Sequence, residues 1–370
     1  MKKIVLPNLA LIIITAILVF IIGESSTRIF KMENDVLIEL DTCTGFKPIP
    51  NKSSFVKNSG GTMPIEVNSY GFRDVEHILE KDPGVFRILF LGDSITEATQ
   101  VPIEQTFWQK LQKLTDEKQI NVEVISFGVA SFGTNQELLS YICYGKQYDP
   151  DLVILNFFNG NDLVDNYFRD SQFEPQYKLE NGSLILDESY RDRIAKRLEQ
   201  RSTIFPGVLF WIKDHSFFAR FLYGKFQNSQ VGEKLVGVTK VDGVNPVFLK
   251  KYTPKWEEAW AITGALITEL SREVRSDGAK LAIMHVPALE QLQPEKIKDP
   301  ELYDLDKATK RIASIAEKID VPVIDLYPNL LDAQNTKPIN WTTDVHWNEH
   351  GHEVVADYLF SELSRLKLIR

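Results

Sequence analysis

Two segments far apart in the chain carry residue types that together perform acyl transfer. Arg87 to Gln100 reads RILFLGDSITEATQ, an apolar run that stops at Gly92-Asp93-Ser94 and turns into a helix-like stretch. A serine hydroxyl in that position is a weak nucleophile until a neighbouring base takes its proton and an acid orients the base. Near the other end, TTDVHWNEHGH supplies a pair on one loop, Asp344 and His346. Asp344 would fix the imidazole tautomer at Nδ1 and leave Nε2 for Ser94. The charge developing on the acyl oxygen needs hydrogen-bond donors. The Ser94 backbone N–H at a helix start is one. Others are expected after two further apolar runs: ISFGVASFGTNQ, with Gly128 and Gly133, and FFNGNDLVDN, with Asn161. Each residue has an ordinary reading alone: Ser94 as a helix cap, Asn161 as a turn residue, His346 as an exposed loop histidine. Three strand ends finishing in the residue types that acyl transfer needs favour chemistry over coincidence.

The elements that must position these groups are legible from Val85 onward. Short apolar runs at Arg87–Gly92, Val122–Gly128, Asp151–Phe158, Lys280–Pro287 and Val321–Tyr327 alternate with amphipathic stretches. Near-continuous apolar character marks strands covered on both faces, and the β-α-β-α order implies a parallel sheet with right-handed crossovers. The expectation is a three-layer α/β/α fold with a five-stranded, mostly parallel sheet over 85–370, closed by a helix from His350 to Leu366. An insertion at about 163–254 interrupts the rhythm with a hairpin at Asn181-Gly182, a charged helix (ESYRDRIAKRLEQR) and an aromatic piece from Phe205 to Phe226. That piece reads as packing for an added helix, with a membrane-facing or acyl-chain-binding surface as the alternative. Residues 24–84 read as a linker and N-terminal arm, ending in VNSYGFRD, where Gly71 permits a turn and Phe72 anchors the arm.

Residues 1–23 carry an address. Met1-Lys2-Lys3 precedes an apolar stretch from Ile4 to Gly23, broken only by Pro7, Asn8 and Thr15. About 20 such residues span a bilayer as a helix. An uncleaved membrane anchor is expected, with a cleaved signal peptide as the alternative; both put the remainder outside the cytoplasm. The net charge of −9, without a basic stripe, argues against nucleic acid as a partner. Cys43 and Cys143 lie far apart, in no metal-ligand spacing, and read as two reduced, partly buried thiols. Nothing in the sequence specifies an oligomeric state.

With these blocks in hand, the chain resembles the SGNH (GDSL-type) hydrolase superfamily. The matching blocks are LGDSIT with Ser94, SFGVASFG, NGNDL with Asn161, and DVHWNEHGH with His346, in the family's order. The likeness runs from about Val67 to Leu366 apart from the insertion. It implies a Ser94–His346–Asp344 triad and an oxyanion hole from Ser94, the second block and Asn161. It also implies departures. Ser131 stands where the family's second-block glycine is expected, so its N–H would donate, with Gly128 as the substitute. Thr343 occupies the more usual place of the acid, which here falls to Asp344.

The expected activity is hydrolysis of an acyl or acetyl ester, on a small molecule or a carbohydrate, with no cofactor and no metal. A metal site built on Asp344, His346, His350 and His352 is a rival, but no H-E-x-x-H frame is present and His350 and His352 would face different sides of a helix. Two further alternatives keep the fold: an O-acyltransferase acting on extracellular polysaccharide, and a non-catalytic carbohydrate-binding module.

Overall fold

A computed structural model describes residues 5–30, 34–169, 171–228, 245–342 and 344–369. Thr343 and part of the expected insertion lie outside them. In chain order the strands are β1 (Ile38–Asp41), β2 (Gly45–Pro48), β3 (Ser53–Asn58), β4 (Gly61–Glu66), β5 (Phe86–Gly92), β6 (Val122–Gly128), β7 (Leu152–Phe158), β8 (Gln176–Glu180), β9 (Ser183–Asp187), β10 (Lys280–Val286) and β11 (Val323–Asp325). The helices are α1 (Val5–Ile29), α2 (Ser94–Glu97), α3 (Phe107–Glu117), α4 (Thr134–Cys143), α5 (Asp162–Tyr167), α6 (Ser189–Ser202), α7 (Ile204–His215), α8 (Phe217–Asn228), α9 (Pro254–Ser276), α10 (Leu289–Leu292), α11 (Lys307–Lys318), α12 (Tyr327–Thr336) and α13 (Glu349–Arg365).

The five apolar runs form one sheet in the order β11-β10-β7-β5-β6, every pair parallel. Ile88 to Leu91, Leu152 to Leu155 and Ala282 to Met284 are fully buried, as strands covered on both faces must be. From β5 the chain steps one way to β6 and then returns past it to β7. With right-handed crossovers, α3 therefore lies on one face and α4, α9 and α11 on the other. α3 packs with α13, and α4 with α9. This is the expected three-layer fold, and the reversal at β5 opens a crevice at the carboxyl ends of the strands, where ligands collect in such sheets.

The region expected as a linker is structured. Residues 38–66 form two antiparallel hairpins, β1–β2 and β3–β4. Their strands are short and half-exposed, β3 alternating exposed and half-buried positions, which gives little apolar signal in sequence. The arm is fixed where Phe72 stacks on Phe127 of β6, ring centroids 3.6 Å apart, and Gly71 takes φ +92° in the turn before it. Cys43 and Cys143 correct the expectation of two free thiols. They form a disulfide that ties the arm to the end of α4. Their proximity comes from the arm wrapping over α4, which spacing cannot reveal.

In the region expected as an insertion, Asn181 and Gly182 both take positive φ (51° and 80°) and close the β8–β9 hairpin. This is the turn chemistry that Asn-Gly favours. The charged segment is α6, and the aromatic piece is the helix pair α7–α8. α8 packs against α1. Leu11–Ile29 is long and apolar enough to cross a membrane, and it is almost wholly exposed.

Candidate active site

The segment after β5 makes its turn because of what Gly92 lacks. A Cβ on Gly92 would lie 2.1 Å from Thr96 Oγ1, so only glycine lets α2 fold back on the strand end. The cap of α2 is Asp93, whose carboxylate accepts the Ile95 N–H at 2.9 Å. Ser94 is thus the first residue of the helix, not its cap, and its hydroxyl is left for other work. It is half-buried, facing the crevice, and Ala98 ends the helix in the left-handed region at φ 55°.

His346 arrives from the opposite end of the chain. Its loop is pinched by the Asn340–Trp347 bridge, and Asn348 caps α13 by accepting the N–H groups of His350 and Gly351. Trp347 is buried against Phe107 and His352. On this frame His346 Nε2 lies 2.8 Å from Ser94 Oγ, and Nδ1 lies 2.5 Å from Asp344 Oδ1. Asp344 Oδ1 also accepts the His346 N–H. The carboxyl of Asp344 is held below its usual range: the Ser59 hydroxyl and the imidazole outweigh the opposing effect of burial.

The other histidines do not join this group. His352 is buried, its Nδ1 accepts the Phe107 N–H at 3.2 Å, and its ring stacks on Phe107. Burial, with help from Arg73 and Lys110, pushes it down to about 3, so it is a neutral packing residue. His350 pairs loosely with Glu353. The four residues of the rival metal reading are therefore split between a triad-like chain and a helix core.

The expected oxyanion donors besides Ser94 lie on the segments that follow β6 and β7. Ser131 is exposed in the loop after β6 and sits in the left-handed region at φ 68°. Two contacts fix it there: Glu97 of α2 accepts the N–H of the preceding Ala130 at 3.0 Å, and Arg169 donates to the Ser131 carbonyl at 2.6 Å. No acceptor among the described residues receives the backbone N–H of Ser94 or of Ser131. Gly128, the substitute considered for Ser131, has another job. It is buried beneath α2, where a Cβ would lie 2.2 Å from the Glu97 nitrogen. Asn161 stands at the N-cap position of α5 and directs its Nδ2 to Asp165 at 2.8 Å, and its amide also opposes the rise of the neighbouring Asp93 carboxyl.

Beneath these loops lies a set of buried carboxyls that sequence reading passed over: Asp93, Glu137, Asp162 and Asp165. Burial raises Asp93 to about 6, against the pull of the Ile95 N–H and His346, and raises Asp165 to about 7, against Arg169 and Asn161. Burial, with the neighbouring Asp93 and Asp165, pushes Glu137 well up, and burial, with Glu137 and Asp93, does the same to Asp162. Burial thus disfavours negative charge on these carboxyls, beneath the crevice where an oxyanion would form. Also unanticipated is Ser59, at the tip of the β3–β4 hairpin, whose hydroxyl donates to Asp344 Oδ2. No signal in the sequence links residues so far apart.

Ser94, His346 and Asp344 thus form a hydrogen-bonded chain at the switch point of a doubly wound parallel sheet. The GDSL-like lipase/acylhydrolase family model matches residues 90–354, and the chain belongs to that family. Over 116 residues it is 31% identical to the probable alginate O-acetylase AlgJ of Pseudomonas aeruginosa, covering 30% of this chain and 28% of that one. The match thus spans under a third of that relative's length. Among solved structures, an acetyl xylan esterase, AlAXEase, aligns with a TM-score of 0.43 at 15% identity, covering 75% of this chain and 100% of that one. The esterase EstA of Pseudoalteromonas sp. aligns with a TM-score of 0.41 at 13% identity, covering 76% and 98%.

Proposed function

We propose that this chain cleaves an acyl ester through a covalent intermediate on Ser94. The observation that carries this reading is the unbroken hydrogen-bonded chain from Ser94 Oγ through both ring nitrogens of His346 to Asp344. In the proposed reaction Ser94 Oγ attacks the ester carbonyl while His346 Nε2 takes the hydroxyl proton. The tetrahedral oxyanion draws on the Ser94 and Ser131 N–H groups and the Asn161 amide. It collapses by expelling the alcohol, which receives the proton from His346. Water, activated by the same histidine, then attacks the acyl-enzyme and releases the acid. Asp344 holds the imidazole tautomer and stabilises the imidazolium that forms twice per cycle.

A second reading differs only in the last step: a carbohydrate hydroxyl replaces water and the acyl group is transferred. It is favoured by the stretch matching a protein described as a probable alginate O-acetylase. In both readings α1 stays attached as an anchor, supported by its hydropathy and by α8 packing on it, and the remainder lies outside the cytoplasm.

The decisive experiment treats the purified full chain with a fluorophosphonate at about pH 8. Label is expected on Ser94 and is expected to vanish in Ser94→Ala and His346→Ala. A folded protein that takes up no label overturns the reading. Acetyl ester turnover with and without an oligosaccharide acceptor then separates hydrolysis from transfer by product.

A further inference from the structure

α7 is an almost wholly apolar helix that leaves one face uncovered. Ile204 is 90% exposed, Val208 54% and Trp211 61%. Steps of four and three residues put them on one side of the helix. What lies beside that face is set by the α7–α8 corner. Glu24 of α1 accepts from Ser216 Oγ at 2.7 Å and from the N–H groups of Phe217 and Phe218 at 3.2 and 3.0 Å. Arg28 donates to the His215 carbonyl at 2.7 Å, and Phe20 meets Phe218 edge-on at 6.0 Å. Gly23 leaves the room for that ring: a Cβ there would lie 2.7 Å from it. The corner is therefore bound where the exposed apolar run of α1, Leu11 to Ile22, gives way to its charged end. We propose that α7 lies in the interfacial layer of the bilayer that α1 crosses, with Ile204, Val208 and Trp211 in lipid. A tryptophan at headgroup depth and an apolar face at the acyl boundary suit that layer. Arg197 of α6, over the Phe210 ring of α7 at 4.2 Å, places a cation beside this helix, where it suits anionic headgroups, while Arg201, over the same ring at 5.3 Å, also pairs with Asp214 at 3.5 Å.

This rests on the anchor reading above, and the test separates the two. Of the six tryptophans, Trp108, Trp256, Trp260 and Trp347 are buried and Trp341 is half-buried. Quenching of the full chain's fluorescence in phosphatidylcholine vesicles with brominated acyl chains therefore reports on Trp211. Quenching that disappears in Trp211→Phe is the expected result. No quenching in the parent, while a Phe20→Trp variant is quenched, overturns the placement of α7 alone. An unquenched Phe20→Trp overturns the anchor and this inference with it.

A separate observation concerns the acid of the triad. Asp344 sits on an irregular loop, and its outer oxygen, Oδ2, is held by Ser59 from the arm. The hairpin tip is itself fixed at the edge of the crevice. Asn58 Nδ2 donates to the Thr99 carbonyl at 2.7 Å, and Gly60 packs so closely that a Cβ would lie 1.9 Å from the Gln100 carbonyl oxygen. We infer that Ser59 is a positioning residue that keeps the Asp344 carboxylate turned so that Oδ1 faces His346. A misdirected acid lowers turnover while leaving substrate binding intact.

This inference deepens the proposed function and depends on it. Ser59→Ala is expected to lower kcat about 5- to 20-fold with KM unchanged, and Ser59→Thr to restore most of it. In an Asp344→Asn background Ser59→Ala is expected to cost nothing further, because residues acting as one unit are not additive. Equal fluorophosphonate labelling of Ser94 in parent and Ser59→Ala overturns the role of Ser59 alone, as does an undiminished Ser59→Ala effect in the Asp344→Asn background. A parent that is never labelled overturns the function beneath it.

Discussion

Arg73 Nη1 donates to the Ala98 carbonyl at 2.7 Å, so a guanidinium from the N-terminal arm closes the turn that ends the helix of Ser94. The same buried group also donates to the carbonyls of Glu97 and Val101, each at 2.7 Å. Burial lowers Arg73 to about 10, against the attraction of Glu97, so it stays charged at neutral pH. Truncating it leaves three carbonyls without their donor. Arg73→Met is expected to cost about 3–5 kcal/mol of stability, read as a lower denaturant midpoint. Lysine, with one compact ammonium, is expected to restore only part. A midpoint unchanged in Arg73→Met would show that the arm does not brace this turn.

Asp344→Asn keeps the loop's shape but presents the wrong partner to His346 Nδ1. Turnover of a short p-nitrophenyl ester is expected to fall about 10²- to 10⁴-fold with folding intact. A change of a few-fold would move the acid role elsewhere.

In the proposed reaction Ser131 donates through its backbone, which makes its side chain dispensable, and its φ of 68° favours glycine. Ser131→Gly is expected to keep full activity and to gain a few tenths to about 1 kcal/mol in stability. Asn161→Ala removes a side-chain donor and is expected to lower kcat about 10²- to 10³-fold. Loss of activity in the glycine variant would mean that the Ser131 hydroxyl, not its N–H, does the work.

The buried carboxyls set a pH dependence of stability. Asp93 and Asp165 are raised to about 6 and about 7, above the unfolded value of about 3.9. Their protonated forms stabilise the fold below the unfolded value, and that contribution is lost as pH rises through about 6 to 7. The thermal midpoint is therefore expected to fall from about pH 5 to about pH 8, and Asp165→Asn to flatten the decline. A midpoint that rises over this interval contradicts a neutral cluster.

The disulfide between Cys43 and Cys143 closes a loop of 100 residues. Chain-entropy arguments give about 4–5 kcal/mol for such a loop. The double serine variant, or the reduced protein, is expected to unfold at a clearly lower denaturant concentration. No difference between oxidised and reduced protein would remove the bond from the account of stability.

The sheet was legible because its strands carry their burial in apolar runs, from Ile88 to Leu91 and from Leu152 to Leu155. The β8–β9 hairpin was legible because Asn181-Gly182 dictates its turn locally. The arm was not, since β1 to β4 are short and half-exposed and gain their shape by lying on the core. Ser94, Asp344, His346 and Asn161 could be singled out by residue type and order. Which of Asp93 and Ser94 caps α2 could not, because both are good caps and only the backbone decides. Ser59, the disulfide and the acidic cluster depend on contacts between distant segments, for which one sequence holds no local mark.

The separations across the site have a consequence for biosynthesis. Ser94 and His346 are 252 positions apart, and Ser59 and Asp344 are 285 apart. A ribosome makes the arm, the serine and the sheet's central strands long before the loop that carries the base. Until that loop emerges and docks, the growing polypeptide owns a hydroxyl with nothing to activate it. On the proposed function, reactivity thus appears late and all at once, after the scaffold that must contain it is already in place.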